Sequence, residues 1–217
     1  MLFKHPLKIN REIFFRHLKM KESAANEQII RQAGFSMSRI ETAATPRLTY
    51  RQFDISFSGD KITAGKNFSG YDSIQSETEA CVYLTGTTVC FRGKNIHTHL
   101  QDCSACILLA VTLGSQAEQM IRAAEAVDMS EALMLDIAAS VLVDQYVDEA
   151  EMILRRNCDI KGSVLTKRFS PGYGDFPIEI QSDFLQLLQA EKMIGLTVSQ
   201  SNILLPRKSV TAVIGVV

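Results

Sequence analysis

The feature that most restricts the fold is an uncharged, largely apolar stretch from Cys103 to Ala117. A membrane-spanning helix needs ~20 predominantly apolar residues. This stretch is shorter and contains Ser, Thr, Gly and Gln, so it predicts globular core. Within it, Ala105 to Leu113 has the pattern of a buried strand that ends at Gly114. The chain of 217 residues is 46% hydrophobic, which is enough for a sizeable core in one domain or two small ones.

The regions before this strand divide into a helical part and a strand-rich part. Ile9 to about Ala44 reads as helical, with Ser23 as a cap and Gly34 as a stop signal. Leu48 to Phe57 alternates apolar and polar residues and predicts a strand. Between Ser58 and Lys94, short Thr, Val, Tyr and Phe runs separated by glycines predict antiparallel hairpins.

The regions after the buried strand are mainly helical. Ser115-Gln-Ala-Glu118 has the spacing of a capping box at a helix start, and a longer helix is expected from Ser130 to about Arg156. The remaining expected elements are a strand from Gly162 to Phe169, a loop from Ser170 to Pro177, a helix from Ser182 to Lys192, and a strand from Ser209 to Val217. Strands grouped first and helices later predict an α+β fold.

Charge and composition narrow the partners and the compartment. Lys and Arg number 23 and Asp and Glu 24, so no basic excess marks a nucleic-acid or anionic-membrane surface. Charged residues near the N-terminus, such as Lys4, Lys8 and Arg11, interrupt any secretory signal. A cytoplasmic protein is expected, with its five cysteines reduced.

The pair Cys103-Ser-Ala-Cys106, with His97 and His99 upstream, offers residue types that bind zinc or exchange disulfides. A single pair is weak support, because closed zinc sites use a second pair at a defined distance. Free cysteines in an apolar strand also pack as small hydrophobic side chains. The sequence therefore favours two core cysteines and leaves a metal or redox protein as an alternative.

Carboxylates recur at helical spacing along the long predicted helix, at Asp136, Asp144, Asp148 and Glu151. Such a stripe is typical of a solvated face, and it can also offer a carboxylate to a cationic ligand. The chain lacks the Gly-rich phosphate-binding and dinucleotide-binding motifs and the Ser-His-Asp elbow. The residues that are typical of nucleotide-phosphate binding, of Rossmann dinucleotide binding and of covalent hydrolases are therefore missing from the sequence.

The segment from Lys167 to Asp175, Lys-Arg-Phe-Ser-Pro-Gly-Tyr-Gly-Asp, is the most informative about chemistry. Arg168 at a strand end offers a planar fork of donors that matches a carboxylate. Gly172 and Gly174 allow a ligand to approach the backbone closely, and Tyr173 supplies a ring that can stack. The group suits a small zwitterion that carries an aromatic base. An ordinary Pro-Gly turn with a surface tyrosine is the alternative.

Arg168-Phe-Ser-Pro-Gly-Tyr173 also resembles the S-adenosylmethionine signature of the activation domain of cobalamin-dependent methionine synthase. Downstream pieces match in order and spacing: Leu187-Leu-Gln-Ala-Glu-Lys-Met-Ile-Gly195, Thr197, Ser201, Pro206 and Ser209-Val210. Upstream, Ile96-His-Thr-His-Leu100 and Ala110-Val-Thr-Leu-Gly114 are similar to stand-alone members of the group. The resemblance covers about Asn95 to the end; before that only Pro46-Arg-Leu-Thr-Tyr-Arg51 is suggestive.

The resemblance implies a C-shaped α+β domain with a twisted, mainly antiparallel sheet and a shallow groove for S-adenosylmethionine. In that family the cofactor supplies the methyl group that restores cobalamin from its inactive Co(II) state, with an electron from a flavodoxin-like protein. By resemblance, Arg168 would pair with the methionyl carboxylate, Gly172 would permit close backbone contact, and Tyr173 would line the groove. The backbone of Ser170 would bond adenine.

An acidic residue of the long helix would suit the amino and sulfonium charges, with Asp144 as first choice and Asp148 as second. In complete methionine synthases of this family the activation domain is fused to homocysteine, folate and cobalamin modules, which 217 residues cannot hold. The chain also lacks an Asp-x-His-x-x-Gly corrinoid signature, so cobalamin would have to arrive on a partner. The expected protein is a reactivation subunit with no catalytic residue of its own. Its partners would be a corrinoid protein, such as methionine synthase, and a flavodoxin-like or ferredoxin-like reductant. A binding or assembly protein that kept the fold and lost the cofactor is the alternative.

Residues 1–94 would form the N-terminal part of the domain, and 95–217 the activation-like region.

Overall fold

The computed structural model describes residues 3, 5–57, 80–159 and 162–217. The helices are α1 (Arg11–His17), α2 (Glu27–Ala43), α3 (Lys94–Leu100), α4 (Ser115–Glu125), α5 (Met129–Asp159), α6 (Gln181–Leu188) and α7 (Ala190–Ile194). The strands are β1 (Arg47–Phe57), β2 (Cys81–Leu84), β3 (Cys90–Arg92), β4 (Ala105–Thr112), β5 (Leu165–Phe169), β6 (Thr197–Val198), β7 (Leu204–Leu205) and β8 (Ser209–Val216).

Six of these strands form one curled antiparallel sheet in the order β3-β2-β1-β4-β8-β5. The predicted strand β4 lies inside it, paired with β1 on one side and β8 on the other along its whole length. All eight of its residues are buried. An apolar run of this kind is stable only where both of its faces are covered, and here helices cover both. The expected α+β fold, with a mainly antiparallel sheet and flanking helices, is confirmed.

The two faces of β4 belong to two different hydrophobic cores, because successive side chains of a strand point to opposite sides. Ile107 and Leu109 face the core that α1, α2, α4 and α5 complete. Cys106 and Leu108 face the core built with β2, β3, α3, α6 and α7. The sheet therefore separates the long helix α5 from the small helices, and its edge strand β5 lies at the border of both cores.

The N-terminal helices differ from the sequence prediction at their ends. The Oδ1 atom of Asn26, not Ser23, caps α2 by accepting the Ile29 N–H at 2.9 Å. Gly34 lies inside α2 and does not end it. A glycine inside a helix costs about 1 kcal/mol relative to alanine. The apolar side of α2 continues beyond it to the buried Met37 and Ile40, which offsets that cost.

Two further expectations about helix ends are wrong. Gly114, at φ +82°, precedes α4, and no side chain of the described residues caps the helix. The Glu118 carboxylate does not close a capping box, because it accepts hydrogen bonds from Arg122 Nη2 at 2.5 Å and the Arg207 N–H at 2.8 Å. The single helix predicted from Ser182 to Lys192 is two helices, α6 and α7, separated by Gln189 in the left-handed conformation at φ +50°.

The hairpin prediction for Ser58 to Lys94 is confirmed where the structure describes it, since β2 and β3 pair antiparallel. Residues 58–79 of that region lie outside the described residues. Among the described helices, none has an apolar stretch long enough to cross a bilayer.

Candidate functional site

The position of Arg168 follows from an irregularity in the edge strand β5. Leu165 pairs with Val216 of β8 and Arg168 pairs with Ile214, so three steps along β5 match two steps along β8. Val216 and Ile214 both face the α5 side of the sheet. Strict alternation would place Arg168 and Leu165 on opposite faces, whereas a bulge re-aims a side chain. The bulge therefore turns Arg168 towards α5.

Arg168 meets two carboxylates of α5. Its Nη1 atom donates to Asp148 Oδ1 at 2.5 Å and to Glu151 Oε2 at 3.1 Å. The Asp148 side chain is 60% exposed and the Glu151 side chain 16%, so the two ion pairs differ strongly in their exposure to solvent. Burial opposes the charge of Arg168, but these bonds outweigh it and hold the pKa of Arg168 above its ordinary value.

One edge of the Arg168 guanidinium makes no hydrogen bond with the described residues. Both hydrogen bonds to α5 come from Nη1, and the Nη2 and Nε groups donate to no other residue in the described part of the chain. A carboxylate is bound most strongly by two parallel N–H groups of one guanidinium. Arg168 also lines a concavity of about 450 Å³ together with Met152, Arg155 and Lys167. A larger concavity of about 750 Å³ between α6, α7 and β6 includes no residue of the Arg168 to Asp175 segment.

Asp144 lies one helical turn before Asp148 on α5. Its surroundings desolvate the carboxyl and raise the pKa of Asp144; the positive charge of Arg168 acts in the opposite direction, and the negative charge of Asp148 adds to the rise. No hydrogen bond or ion pair joins its carboxylate to another described residue. Asp144 therefore lies in the electric field of Arg168 with its oxygens uncommitted, whereas Asp148 is already bonded to the guanidinium.

The loop after β5 is a series of tight turns. The Gly172 N–H donates to Phe176 O at 2.9 Å, and the Tyr173 N–H donates to Ser170 O at 3.2 Å. Gly172 has φ +90°, which a residue with a side chain rarely adopts. Tyr173 is 67% exposed, so its ring is open to a stacking partner. The expected loop is confirmed.

Asp175 fastens this loop to the start of α3. Its carboxylate accepts the Lys94 N–H at 2.7 Å and the Asn95 N–H at 2.9 Å. The bond to Asn95 is the main reason that the pKa of Asp175 lies below its ordinary value. Gly174 has φ +57°, a conformation that favours glycine, and a Cβ there would come within 2.1 Å of Asn95 Nδ2, so the Asn95 side chain would have to move. The sequence segment includes Asp175, but only the fold shows that this carboxylate is used structurally.

His99, on the other face of the sheet, supports β5 from the α3 side. Its ring stacks on Phe169 with centroids 5.3 Å apart, and its Nε2 lies 3.1 Å from Thr166 Oγ1. Burial lowers the pKa of His99, so the ring is neutral near neutral pH. This histidine serves packing and hydrogen bonding in the structure.

The Cys103 and Cys106 thiols lie in the core rather than in an open site. Both are buried, and burial raises the pKa of Cys106 to about 12 and also raises the pKa of Cys103. Redox-reactive cysteines have lowered pKa values, so these two have the opposite character. Within the described ranges, no three His, Cys, Asp or Glu side chains are grouped to hold a metal ion. The packing interpretation is favoured over the metal or redox alternative.

The structure thus brings Arg168 together with Asp148 and places Asp144 one turn away, while Ser170, Gly172 and Tyr173 form the adjoining loop. No described contact joins Tyr173 to Arg168. The sequence places Glu151 among the carboxylates of the helix without linking it to Arg168, and its pattern does not point to Arg155, which binds Glu151 and β5. The i, i+4 spacing of Glu151 and Arg155 was a signal for their own ion pair, but not for the contact with the strand.

The comparisons with known proteins concern the fold. No protein-family model matches the chain, and no curated protein matches its sequence. A crystal structure of the MetH reactivation domain bound to AdoHcy matches the structure with a TM-score of 0.63 and 15% sequence identity, over 96% of this chain and 74% of that chain. At so low a sequence identity the match is evidence about the fold alone, and it shows that this chain shares the fold of that domain.

Proposed function

We propose that the chain binds S-adenosylmethionine through its amino-acid end and acts as a reactivation module for cobalamin-dependent methyl transfer. The observation that carries the proposal is the position of Arg168. Its guanidinium stands at the end of the edge strand, with a free donor edge, in a fold shared with a domain whose crystal structure contains AdoHcy. AdoHcy has the same amino-acid and adenosyl parts as S-adenosylmethionine.

The residues around Arg168 fit such a ligand by their chemistry. Its Nη2 and Nε groups would receive the carboxylate in a two-bond arrangement. Asp144, with uncommitted oxygens near the guanidinium, would face the amino and sulfonium charges. Gly172 would admit the ligand close to the backbone, Ser170 would offer backbone groups to adenine, and the exposed ring of Tyr173 would stack or line the groove.

The chain itself would bind and orient the cofactor. S-adenosylmethionine would supply a methyl group to cobalamin held by a corrinoid partner, such as methionine synthase, with an electron from a flavodoxin-like or ferredoxin-like reductant. We expect this chain to contribute no nucleophile or proton transfer. None of the five cysteines, all of which the structure describes, forms a disulfide bond, which suits the reducing cytoplasm, where we place this module.

Isothermal titration with S-adenosylmethionine tests the proposal. Saturable binding is expected, and Arg168→Ala should weaken it by about 1.5–3 kcal/mol, the strength of a hydrogen bond to a charged group. Arg168→Lys keeps the charge but loses the fork, so it should also bind more weakly. Arg156→Ala is the matched control, because Arg156 is exposed and its substitution removes the same positive charge. Equal affinity of the wild-type and Arg168→Ala proteins would contradict the assignment.

A second candidate is a binding or assembly protein that has kept the fold and lost the cofactor. The two carboxylates on Arg168 favour it, since an arginine already paired inside the protein needs no ligand. The two candidates differ in the titration. The absence of heat with millimolar S-adenosylmethionine would favour the second.

A further inference from the structure

Arg155 of α5 ties the bulged part of β5 to the helix. Its Nη1 donates to Leu165 O at 2.6 Å, and its Nη2 donates to Thr166 O at 2.6 Å. Because β5 is the edge strand of the sheet that the described residues form, carbonyls in its irregular part have no second described strand beside them. Arg155 supplies those hydrogen bonds and so fixes the stretch of backbone that turns Arg168 towards α5.

Glu151 connects Arg155 to Arg168. Its Oε1 accepts from Arg155 Nε at 3.2 Å and Nη2 at 2.5 Å, and its Oε2 accepts from Arg168 Nη1 at 3.1 Å. Each carboxylate oxygen therefore serves a different guanidinium. The Glu151 side chain is only 16% exposed, against 60% for Asp148. Glu151 is thus the less exposed partner of Arg168, tied to a second arginine, and Asp148 is the more exposed partner.

We propose that Glu151 and Arg155 are positioning residues for the ligand carboxylate, an inference that rests on the function proposed above. Glu151 holds Nη1 of Arg168 so that the Nη2 and Nε edge faces the concavity. Arg155 holds both Glu151 and the bulged part of β5 in place. When an amino-acid carboxylate binds, Asp148 gives up its bond to Arg168 while Glu151 keeps its own. Neither positioning residue touches the ligand.

The sign of the effect separates positioning from simple electrostatics. Neutralising Glu151 removes a negative charge from the neighbourhood of the ligand carboxylate, so Coulomb repulsion alone would make binding tighter. Loss of positioning makes binding weaker, because the guanidinium is no longer held in the productive orientation. Only ligands that carry the carboxylate should be affected. A ligand with the adenosyl part alone should bind to the variant as it binds to the wild type.

The experiment titrates AdoHcy and 5′-methylthioadenosine, which lacks the amino-acid end, into wild type, Glu151→Gln and Arg155→Lys. About tenfold weaker AdoHcy binding is expected for each variant, with unchanged binding of 5′-methylthioadenosine. Glu149→Gln is the matched control on the same helix, since Glu149 has no described contact with Arg168, and it should match wild type. Thermal unfolding shows whether each variant is folded. If Glu151→Gln does not fold, Arg155→Lys provides the test.

Two results overturn the proposal while leaving the proposed function intact. The first is AdoHcy binding to Glu151→Gln that equals or exceeds that of wild type. The second is an equal loss for both ligands, which would show that the pair only maintains the fold. If the wild-type protein binds neither ligand, the proposed function fails, and this inference fails with it.

Discussion

Removal of Asp148 should tighten the binding of a carboxylate ligand. Asp148 Oδ1 lies 2.5 Å from Arg168 Nη1, where it would compete with an incoming carboxylate for the guanidinium. If Arg168 must leave Asp148 to accept the ligand, the free energy of that ion pair is subtracted from the binding free energy. The variant Asp148→Ala removes the competitor at an exposed helix position, where alanine is a favourable helix residue.

The magnitude follows from the exposure of the pair. With Asp148 60% and Arg168 34% exposed, the pair belongs to the solvent-screened class that contributes about 0.2–1 kcal/mol. Since a factor of ten in affinity corresponds to about 1.4 kcal/mol, the variant should bind AdoHcy about 1.4- to 5-fold more tightly. The ratio of the two affinities should approach one at high salt, because ions screen the exposed pair.

Isothermal titration of AdoHcy at low and high salt measures this ratio, with Glu149→Ala as the control for the loss of one negative charge from α5. Weaker binding by Asp148→Ala would refute the reasoning, since Asp148 would then contact the ligand amino group itself and replace Asp144 in that role. An unchanged affinity would also refute it, because the ligand would not displace Asp148.

Three further predictions concern other residues of the site and the core. Asp144→Asn should weaken S-adenosylmethionine binding while leaving 5′-methylthioadenosine binding unchanged, as measured by titration; equal affinities for S-adenosylmethionine would remove Asp144 from the site. Because the pKa of His99 in the folded protein lies below its ordinary value of 6.5, the unfolded chain takes up this proton first as the pH falls. Stability to urea should therefore decline as the pH drops below 6.5, and His99→Gln should flatten that decline; an identical pH dependence in the variant would contradict this. The Cys106 thiol, buried and with its pKa raised to about 12, should resist a thiol reagent at mildly alkaline pH until urea is added, with mass spectrometry locating the modified residue. Rapid labelling of native Cys106 would revive the redox alternative.

The elements that depend on local pattern could be predicted from the sequence. The strands β1, β4 and β8 agree with their predicted ranges within about two residues, because apolar periodicity follows burial. The end of α2 could not be predicted, since burial of Met37 and Ile40 outweighs the glycine at 34. The break at Gln189 was equally hidden, because a residue other than glycine rarely adopts the left-handed conformation that Gln189 has at φ +50°.

The candidate site was predictable in its residue types but not in its geometry. The segment from Arg168 to Tyr173 stands out because a guanidinium, two flexible glycines nearby and an aromatic ring occur within a few residues. The direction of Arg168 depends on the β5 bulge, which leaves no signal in the residues of that strand. The contacts with Asp148 and Glu151 join residues 20 and 17 positions apart, so only the fold brings them together.

The most direct test of the account is a crystal structure of the wild-type protein soaked with AdoHcy. The amino-acid carboxylate is expected on the Nη2 and Nε groups of Arg168, with Asp148 turned away and Glu151 still bonded to Nη1. A concavity without ligand, or an Arg168 still closed on both carboxylates at saturating AdoHcy, would contradict the central claim and leave the fold as the sole likeness to a reactivation domain.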